Sequence, residues 1–126
     1  MRVDHVALWT RNPEQLRDFY SEWFGARSND GYVNPARRFR SYFLSFGGGA
    51  RIEIMQVPDL SEPRAHPAPG YAHIALALGS DAAVDQLTAR LSTAGFVIVD
   101  GPRRTGDGYY ESVVLDPDGN RIELTV

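Results

Sequence analysis

ARIEIM (residues 50–55) and NRIELT (residues 120–125) are two copies of one pattern in a chain of 126 residues: arginine, isoleucine, glutamate and an aliphatic residue. Each copy carries a glutamate, Glu53 or Glu123, inside a run that is otherwise typical of a β-strand. A carboxylate in an apolar run is costly unless it faces water, a charged partner or a metal ion. The repeat therefore indicates that the two glutamates share a role.

A histidine also repeats, at the start of two similar segments. DHVALWT (residues 4–10) contains His5, and AHIALAL (residues 72–78) contains His73. The two histidines lie 68 positions apart, and the two repeated glutamates lie 70 positions apart. Two independent landmarks with nearly equal offsets indicate that the chain is a tandem duplication.

The residues between each histidine and its glutamate predict the same elements in both halves. One helix is predicted from Asn12, its N-cap, to Gly25, and a second from Ser80 or Asp81 to Gly95. Apolar residues recur at helical spacing on one face of each helix: Leu16, Phe19, Tyr20, Trp23 and Phe24 in the first, and Val84, Leu87, Leu91 and Ala94 in the second. Strands are predicted at about 26–33, 39–46 and 50–57, and at 96–100, 109–116 and 120–126. Each half is therefore predicted to be a βαβββ module, and the fold class is α+β.

A proline-rich segment separates the two modules. Residues 58–70 contain four prolines, and proline fixes φ and lacks a backbone donor, so this segment is predicted to be a connector. The modules, residues 1–57 and 71–126, are predicted to share a core as a single domain over residues 1–126. The other predicted loops are residues 28–38 and 101–108.

Composition and charge exclude several partners and site types. The net charge of −3 provides no electrostatic basis for binding nucleic acid or an anionic membrane. Without cysteine the chain has no disulfide, thiolate zinc site or cysteine nucleophile. No apolar run approaches the roughly 20 residues that cross a bilayer, and the N-terminal residues lack the pattern of a secretory signal. We therefore expect a cytoplasmic protein.

The alternation of side chains along a strand predicts a shared face for the repeated residues. In each half, the histidine and the glutamate are predicted to face away from the aliphatic residues that pack against the helix. If the first and last strands of a module are neighbours, each histidine lies beside its glutamate, and the two pairs can converge. Two imidazoles and two carboxylates suit a divalent ion such as Zn²⁺, Ni²⁺, Mn²⁺, Fe²⁺ or Co²⁺. The candidate ligands are His5, Glu53, His73 and Glu123.

Taken singly, a histidine or glutamate in such a strand is more often structural or solvated, and the duplication is what favours metal ligation. A relic set of four that no longer binds metal is the remaining alternative. His66, in the proline-rich segment, has no counterpart and is predicted to be solvated.

The order His…Glu…His…Glu, together with HVALWT (residues 5–10), GYAHIAL (residues 70–76) and DPDGNRIEL (residues 116–124), resembles the vicinal oxygen chelate superfamily. That superfamily includes glyoxalase I, bleomycin and fosfomycin resistance proteins, methylmalonyl-CoA epimerase and extradiol dioxygenases. The resemblance covers essentially the whole chain. It implies two βαβββ modules whose mixed sheets curl around a cleft, formed within one chain or across a homodimer. It also implies one divalent metal ion per site, held by a His2Glu2 set most similar to that of glyoxalase I.

This ligand set implies a metal-dependent lyase or isomerase acting on a small substrate with two adjacent oxygens through an enediolate-type intermediate. The resemblance makes Glu123 the first candidate for the general base and Glu53 the second. A non-catalytic protein that binds a drug or metabolite, and an Fe(II) extradiol-type dioxygenase, are the alternatives. Residues 28–38 and 58–70 match no glutathione-binding pattern.

Aromatic and basic residues near the predicted face are candidates for substrate contacts. Trp9 shares the predicted face of His5 and can line the cleft, and a packing role is its alternative. Arg103 and Tyr110 can meet an anionic or planar substrate. A solvated loop is the alternative for these two and for the other candidates of this kind. Those others are Arg37, Arg38, Arg40, Arg104 and Tyr109.

Overall fold

The computed structural model of the chain describes residues 1–62, 67 and 69–126. The predicted connector falls partly outside this description, and so does His66, whose solvation stays a prediction. By their internal contacts the residues divide into two compact units, Met1–Pro63 and Arg64–Val126. Within the described residues, no helix has the length and apolar character needed to cross a membrane.

The first unit contains one helix and a five-stranded mixed sheet. Its elements are β1 (His5–Trp9), α1 (Pro13–Phe24), β2 (Arg27–Ser28), β3 (Tyr32–Asn34), a 3-10 turn (Pro35–Arg37), β4 (Phe39–Ser45) and β5 (Arg51–Gln56). The sheet order is β1-β5-β4-β2, and β3 also pairs with β4. β1 and β5 are parallel neighbours, while β4 is antiparallel to its partners. The first and last strands of this module are therefore adjacent, which is the condition under which each histidine lies beside its glutamate.

The second unit repeats this plan. Its elements are β6 (Ile74–Ala77), α2 (Asp81–Thr93), β7 (Ile98–Arg104), β8 (Tyr110–Leu115) and β9 (Arg121–Thr125). The sheet order is β6-β9-β8-β7, with β6 and β9 parallel. One helix and one mixed sheet in each unit confirm the predicted α+β class and the two similar modules.

Both helices begin and end where their capping residues predict. The Asn12 side chain accepts a hydrogen bond from the Gln15 backbone N–H at 3.1 Å, and Gly25 takes a φ of 65° after α1. The Ser80 hydroxyl accepts from the Ala83 N–H at 3.2 Å at the start of α2, and Gly95 follows with a φ of 91°. The N-caps lie 68 positions apart and the two glycines 70 apart, so the two extra residues of the second half lie within its helical segment.

One predicted core residue of α2 is wrong. Ala94 is the exposed C-cap of the helix and does not belong to the apolar stripe. Thr88, 4% exposed, lies in the core with the stripe residues, and its hydroxyl donates to the Val84 carbonyl at 2.7 Å. The same hydroxyl lies 2.6 Å from Ser112 Oγ on β8. These bonds satisfy a polar group that a purely apolar pattern overlooks.

The predicted loops need correction. The predicted strand 26–33 is two short strands, β2 and β3, because Asn29 Oδ1 takes the place of a backbone carbonyl and accepts from the Phe43 N–H at 2.9 Å. In the second half, residues 101–104 are the end of β7 and not loop. Proline is tolerated in β7 because it is the edge strand of its sheet.

Two glycines extend the duplication beyond the motifs in the sequence. Gly31 and Gly101 lie 70 positions apart and have φ values of 88° and 79°. A Cβ atom on Gly31 would lie 2.8 Å from Tyr42 Cε1, and one on Gly101 would lie 2.5 Å from the Glu111 carbonyl oxygen. Both positions therefore require glycine, for conformation and for space.

Candidate metal-binding residues

β1 and β5 bring His5 beside Glu53. The alternation predicted from the sequence is present, since Ile52 and Ile54 are buried toward the helix and His5 is exposed on the other face. His5 Nε2 lies 3.8 Å from Glu53 Oε2. The Glu53 side chain is 15% exposed, so its carboxylate is largely shielded from water. The partly exposed imidazole and the largely buried carboxylate, whose Nε2 and Oε2 atoms face one another, are two candidate metal ligands.

The other ring nitrogen of His5 is engaged by its neighbour in the chain. His5 Nδ1 lies 3.0 Å from Asp4 Oδ2, and Asp4 also accepts a hydrogen bond from the Arg51 guanidinium. The hydrogen bond with His5 and the bond and charge of Arg51 lower the pKa of Asp4 to about 2. The edge of the imidazole meets the Phe43 ring, with centroids 5.3 Å apart.

The second unit forms the matching pair from β9 and the residue before β6. His73 Nε2 lies 3.5 Å from Glu123 Oε2, and the Glu123 side chain is 18% exposed. Ile122 and Leu124 are fully buried toward the helix, so Glu123 faces away from it, as predicted. His73 precedes β6 by one residue, whereas His5 is the first residue of β1.

A further acid, Glu111, lies on the face of Glu123 and is not among the site residues predicted from the sequence. Glu111 pairs with Thr125 in the β8–β9 ladder, while Val113 pairs with Glu123, so these side chains share one face. Arg103 Nη2 lies 3.5 Å from Glu111 Oε1. Burial, and then the negative charge of Glu123, raise the pKa of Glu111. The alternation along β8 was the signal for Glu111, since Ser112 and Val114 are the buried residues of that strand.

The three predicted substrate contacts lie in different surroundings. Trp9 is 51% exposed on the face of His5 and meets the Phe39 ring edge-on at 6.4 Å. Arg103 is paired with Asp100 at 2.6 Å as well as with Glu111, so acids already surround its charge. The Tyr110 hydroxyl donates to Asp85 Oδ1 of α2 at 2.6 Å, which places this ring on the helix-packing face and raises its pKa.

A row of aromatic rings continues from Trp9 across the first unit. The Tyr32 and Phe39 rings are 6.2 Å apart, and Tyr32 is 55% exposed. A groove of about 410 Å³ adjoins this row, with Val33, Arg38 and Phe39 in its wall. It is an open groove and not an enclosed cavity.

The donor chemistry of each pair fits a divalent metal ion. Neutral imidazole nitrogen and carboxylate oxygen are ligands that Zn²⁺, Ni²⁺, Mn²⁺, Fe²⁺ and Co²⁺ accept. Neither Glu53 nor Glu123 has an arginine or lysine ion pair among the described residues, which leaves its carboxylate available to a cation. No group of three or more histidine, aspartate or glutamate side chains suited to an ion is found in residues 1–62, 67 and 69–126. The set of four ligands thus stays a prediction, built from two pairs.

Residues 2–124 match the model of the Glyoxalase/Bleomycin resistance protein/Dioxygenase superfamily. A glyoxylase/bleomycin resistance protein/dioxygenase domain from Frankia sp. EAN1pec is similar at a TM-score of 0.84 and 18% identity, over 100% of this chain and 97% of that chain. A glyoxalase family protein from Enterococcus faecalis gives 0.82 and 23%, over 99% and 97%. The trypanothione-dependent glyoxalase I of Leishmania major gives 0.80 and 23%, over 99% and 86%. No curated protein matches the sequence.

Proposed function

Because the chain belongs to the glyoxalase/bleomycin resistance protein/dioxygenase superfamily, we propose that it is a divalent-metal-dependent lyase or isomerase acting on a small substrate with vicinal oxygens. The observation that carries the proposal is the repeated histidine–glutamate pair. Each unit aims an imidazole nitrogen and a carboxylate oxygen at one another across 3.8 Å or 3.5 Å, on the face away from its helix. A duplicated arrangement of this kind has no role in packing either core.

The proposal joins the two pairs into one set of four ligands, His5, Glu53, His73 and Glu123, within one chain or between the subunits of a homodimer. A bound divalent ion would supply a Lewis acid for the negative charge that develops on the substrate oxygens. Four protein ligands would leave room on the ion for those two oxygens. We place the protein in the cytoplasm as a homodimer.

The protein's own part of the chemistry is to hold the substrate carbon next to a carboxylate that removes its proton and returns it. Glu123 is the first candidate for this base, and Glu53 is the second. The two differ in their neighbours, since Glu53 lies opposite Phe43 and Glu123 lies opposite Val113 with Glu111 on the same face. A second acid next to Glu123 gives that face another group through which a proton can pass.

A second candidate function is sequestration of a drug or metabolite without chemistry. The exposed row of Trp9, Phe39 and Tyr32 favours it, because such rings bind planar apolar groups by stacking. A dioxygenase is disfavoured, since family dioxygenases use two histidines and one glutamate, and this chain has an acid at both Glu53 and Glu123.

Metal content of the untagged protein separates these candidates. Elemental analysis after dialysis against Ni²⁺, Zn²⁺ or Co²⁺ should find one ion for each set of four ligands. His5→Ala and His73→Ala should each abolish binding of the ion and leave the protein folded. Wild-type protein that takes up no ion, or a His5→Ala variant with full metal content, would refute the metal enzyme. Substrate-dependent oxygen uptake would identify a dioxygenase.

The reaction class has its own measurement. A lyase or isomerase of this type should exchange with D2O the hydrogen next to the carbonyl of a bound α-hydroxyketone or 2-oxo compound. Glu123→Gln should abolish this exchange. The metal content of Glu53→Gln and Glu123→Gln is measured in parallel. A sequestering protein would show neither exchange nor sensitivity of ligand affinity to a chelator.

A further inference from the structure

We infer that Asp4, fixed in place by Arg51, is a positioning residue that orients the His5 imidazole for metal binding, and that the second half lacks this device. The inference rests on the proposed function and goes beyond it, because it makes the two histidines of the ligand set unequal. It is carried by the contacts around His5 and by their absence at the equivalent positions around His73.

The tautomer of His5 follows from its contact with Asp4. An ionised carboxylate only accepts hydrogen bonds, so at 3.0 Å the proton must lie on His5 Nδ1. The lone pair of the neutral ring is then on Nε2, the atom that lies 3.8 Å from Glu53 Oε2. The contact therefore presents to a cation the nitrogen that is next to the second ligand. A carboxylate behind a ligating histidine fixes the ring and its tautomer in this way in many metal sites.

Arg51 holds Asp4 at two points. Its backbone N–H donates to the Asp4 carbonyl oxygen at 2.9 Å, and its Nη2 donates to Asp4 Oδ2. The guanidinium lies over the Phe43 ring, 4.5 Å from the centroid, and the same ring packs against the His5 imidazole. Asp4, His5, Arg51 and Phe43 thus form a closed circuit of contacts, in which the carboxylate cannot turn away from the imidazole without breaking a bond to Arg51.

Among the described residues of the second half, the equivalent circuit is missing. Ala72 stands at the position of Asp4 and Val113 at that of Phe43, while Arg121 stands at that of Arg51. In the part of the chain that the structure describes, Nδ1 of His73 makes no hydrogen bond, and the residue lies outside β6. Arg121 is therefore present without the carboxylate and the aromatic ring that Arg51 contacts in the first half.

A structural role for Asp4 alone predicts something different. Asp4 and Arg51 are about half exposed, and ion pairs of that kind contribute little to stability. If stability were their only role, removing Asp4 would leave the tautomer of His5 and the affinity for metal as they are. If Asp4 orients the ligand, both change, and affinity falls about 10- to 100-fold, as for other groups behind a ligating histidine.

The experiment uses the 126-residue chain and five variants. Two-bond ¹⁵N–¹H correlation spectra of the metal-free protein at mildly alkaline pH report the tautomer of each histidine, and calorimetric titration with Co²⁺ or Ni²⁺ reports affinity. Asp4→Ala and Arg51→Met break the circuit. Asp18→Ala removes another exposed aspartate that is paired with an arginine, and Arg121→Met removes the equivalent guanidinium of the second half.

We expect His5 to be the Nδ1–H tautomer in the wild type and to lose that preference in Asp4→Ala, with a 10- to 100-fold weaker affinity for metal. Arg51→Met should shift both readings in the same direction, and the two control variants should match the wild type. Asp4→Asn, whose amide oxygen still accepts from Nδ1, should restore the tautomer.

The inference is overturned if wild-type His5 is the Nε2–H tautomer, or if Asp4→Ala binds metal as tightly as the wild type. A wild-type protein that binds no ion refutes the proposed metal function instead, and the spectra of the metal-free protein then still decide whether Asp4 orients His5.

Discussion

The two halves of the chain use one backbone plan to present the same pair of side chains, and they surround the two pairs differently. In the first half, the imidazole of His5 is flanked by Phe43 and by a carboxylate that an arginine holds. In the second, His73 and Glu123 share their face with Glu111 and Arg103. Both halves share three features. The first and last strands pair in parallel, a buried isoleucine precedes each glutamate, and one glycine with a positive φ has no room for a Cβ atom. The two halves thus share the parts that aim the histidine and the glutamate, and they differ in the residues around each pair.

The largest effect should come from removing the histidines, which tests whether the halves act together. His5→Ala and His73→Ala should each reduce affinity for Co²⁺ or Ni²⁺ by more than the roughly 100-fold upper limit seen when a supporting residue is removed, because each would remove one of the proposed direct ligands. Calorimetric titration measures the effect, and circular dichroism confirms the fold. Loss of binding in one variant and none in the other would mean that a single half binds the ion.

Substitution of Gly31 and Gly101 tests whether the two halves are equally rigid near their histidine–glutamate pairs. Alanine at Gly31 or Gly101 must adopt a positive φ, which costs on the order of 1–3 kcal/mol. Gly101→Ala should cost more than Gly31→Ala, because its Cβ would meet the Glu111 backbone at 2.5 Å, whereas that of Gly31 would meet a side chain, Tyr42. Urea unfolding measures both free energies. Equal costs would show that the Tyr42 side chain, whose hydroxyl donates to Glu14, moves aside no more easily than the Glu111 backbone.

Much of this fold was predictable from the sequence because its signals are local. Asn12, Gly25 and Ser80 mark helix ends through their own backbone preferences, and the alternation around Glu53 and Glu123 fixes which face each residue takes. These features need no knowledge of distant residues, so they were correct.

The errors and omissions depend on contacts between strands. Residues 101–104 resemble a loop in sequence, and they form a strand because β8 supplies the pairing. Asn29 breaks the strand between β2 and β3 through a bond to Phe43, 14 residues away. Glu111 becomes notable because the ladder sets it near Glu123, and Asp4 because Arg51 reaches it from β5. Local pattern cannot supply these partners.

The hairpin turns give a third comparison. The first half turns from β4 to β5 through Gly47 and Gly49, and the second turns through Asp116, whose carboxylate is 4% exposed. Asp116 accepts from the backbone N–H groups of Asp118 and Asn120 and from the Asn120 side chain at 2.8–3.0 Å. Asp116→Ala should therefore destabilise the protein by about 1–3 kcal/mol, since part-buried hydrogen bonds to a charged acceptor are lost.

Thermal unfolding of Asp116→Ala measures that cost. Asp118→Ala, in the same turn but exposed, is the matched control and should change stability little. An Asp116→Ala protein as stable as the control would show that this turn does not depend on the Asp116 carboxylate.

The smallest expected effect concerns the acid that only the second half carries. Burial and the charge of Glu123 raise the pKa of Glu111 above its ordinary value of 4.5, so the folded state disfavours the ionised form. The stability that Glu111 contributes is fully present below its unfolded pKa and is lost as pH rises through its folded pKa. Glu111→Gln, which carries no charge at any pH, should therefore be more stable than the metal-free wild type at pH 7.

That advantage should shrink as the pH falls, and it should vanish below about pH 4, where the wild-type carboxyl is protonated in both states. Melting curves from pH 3 to pH 8 with a chelator present provide the comparison, and Glu22→Gln, an exposed site on α1, controls for the loss of one charge. A stabilisation that is the same at all pH values would place its cause in packing instead of charge. The acidic character assigned to the face of Glu123 would then have no thermodynamic support, and the contrast between the two halves would reduce to the surroundings of His5.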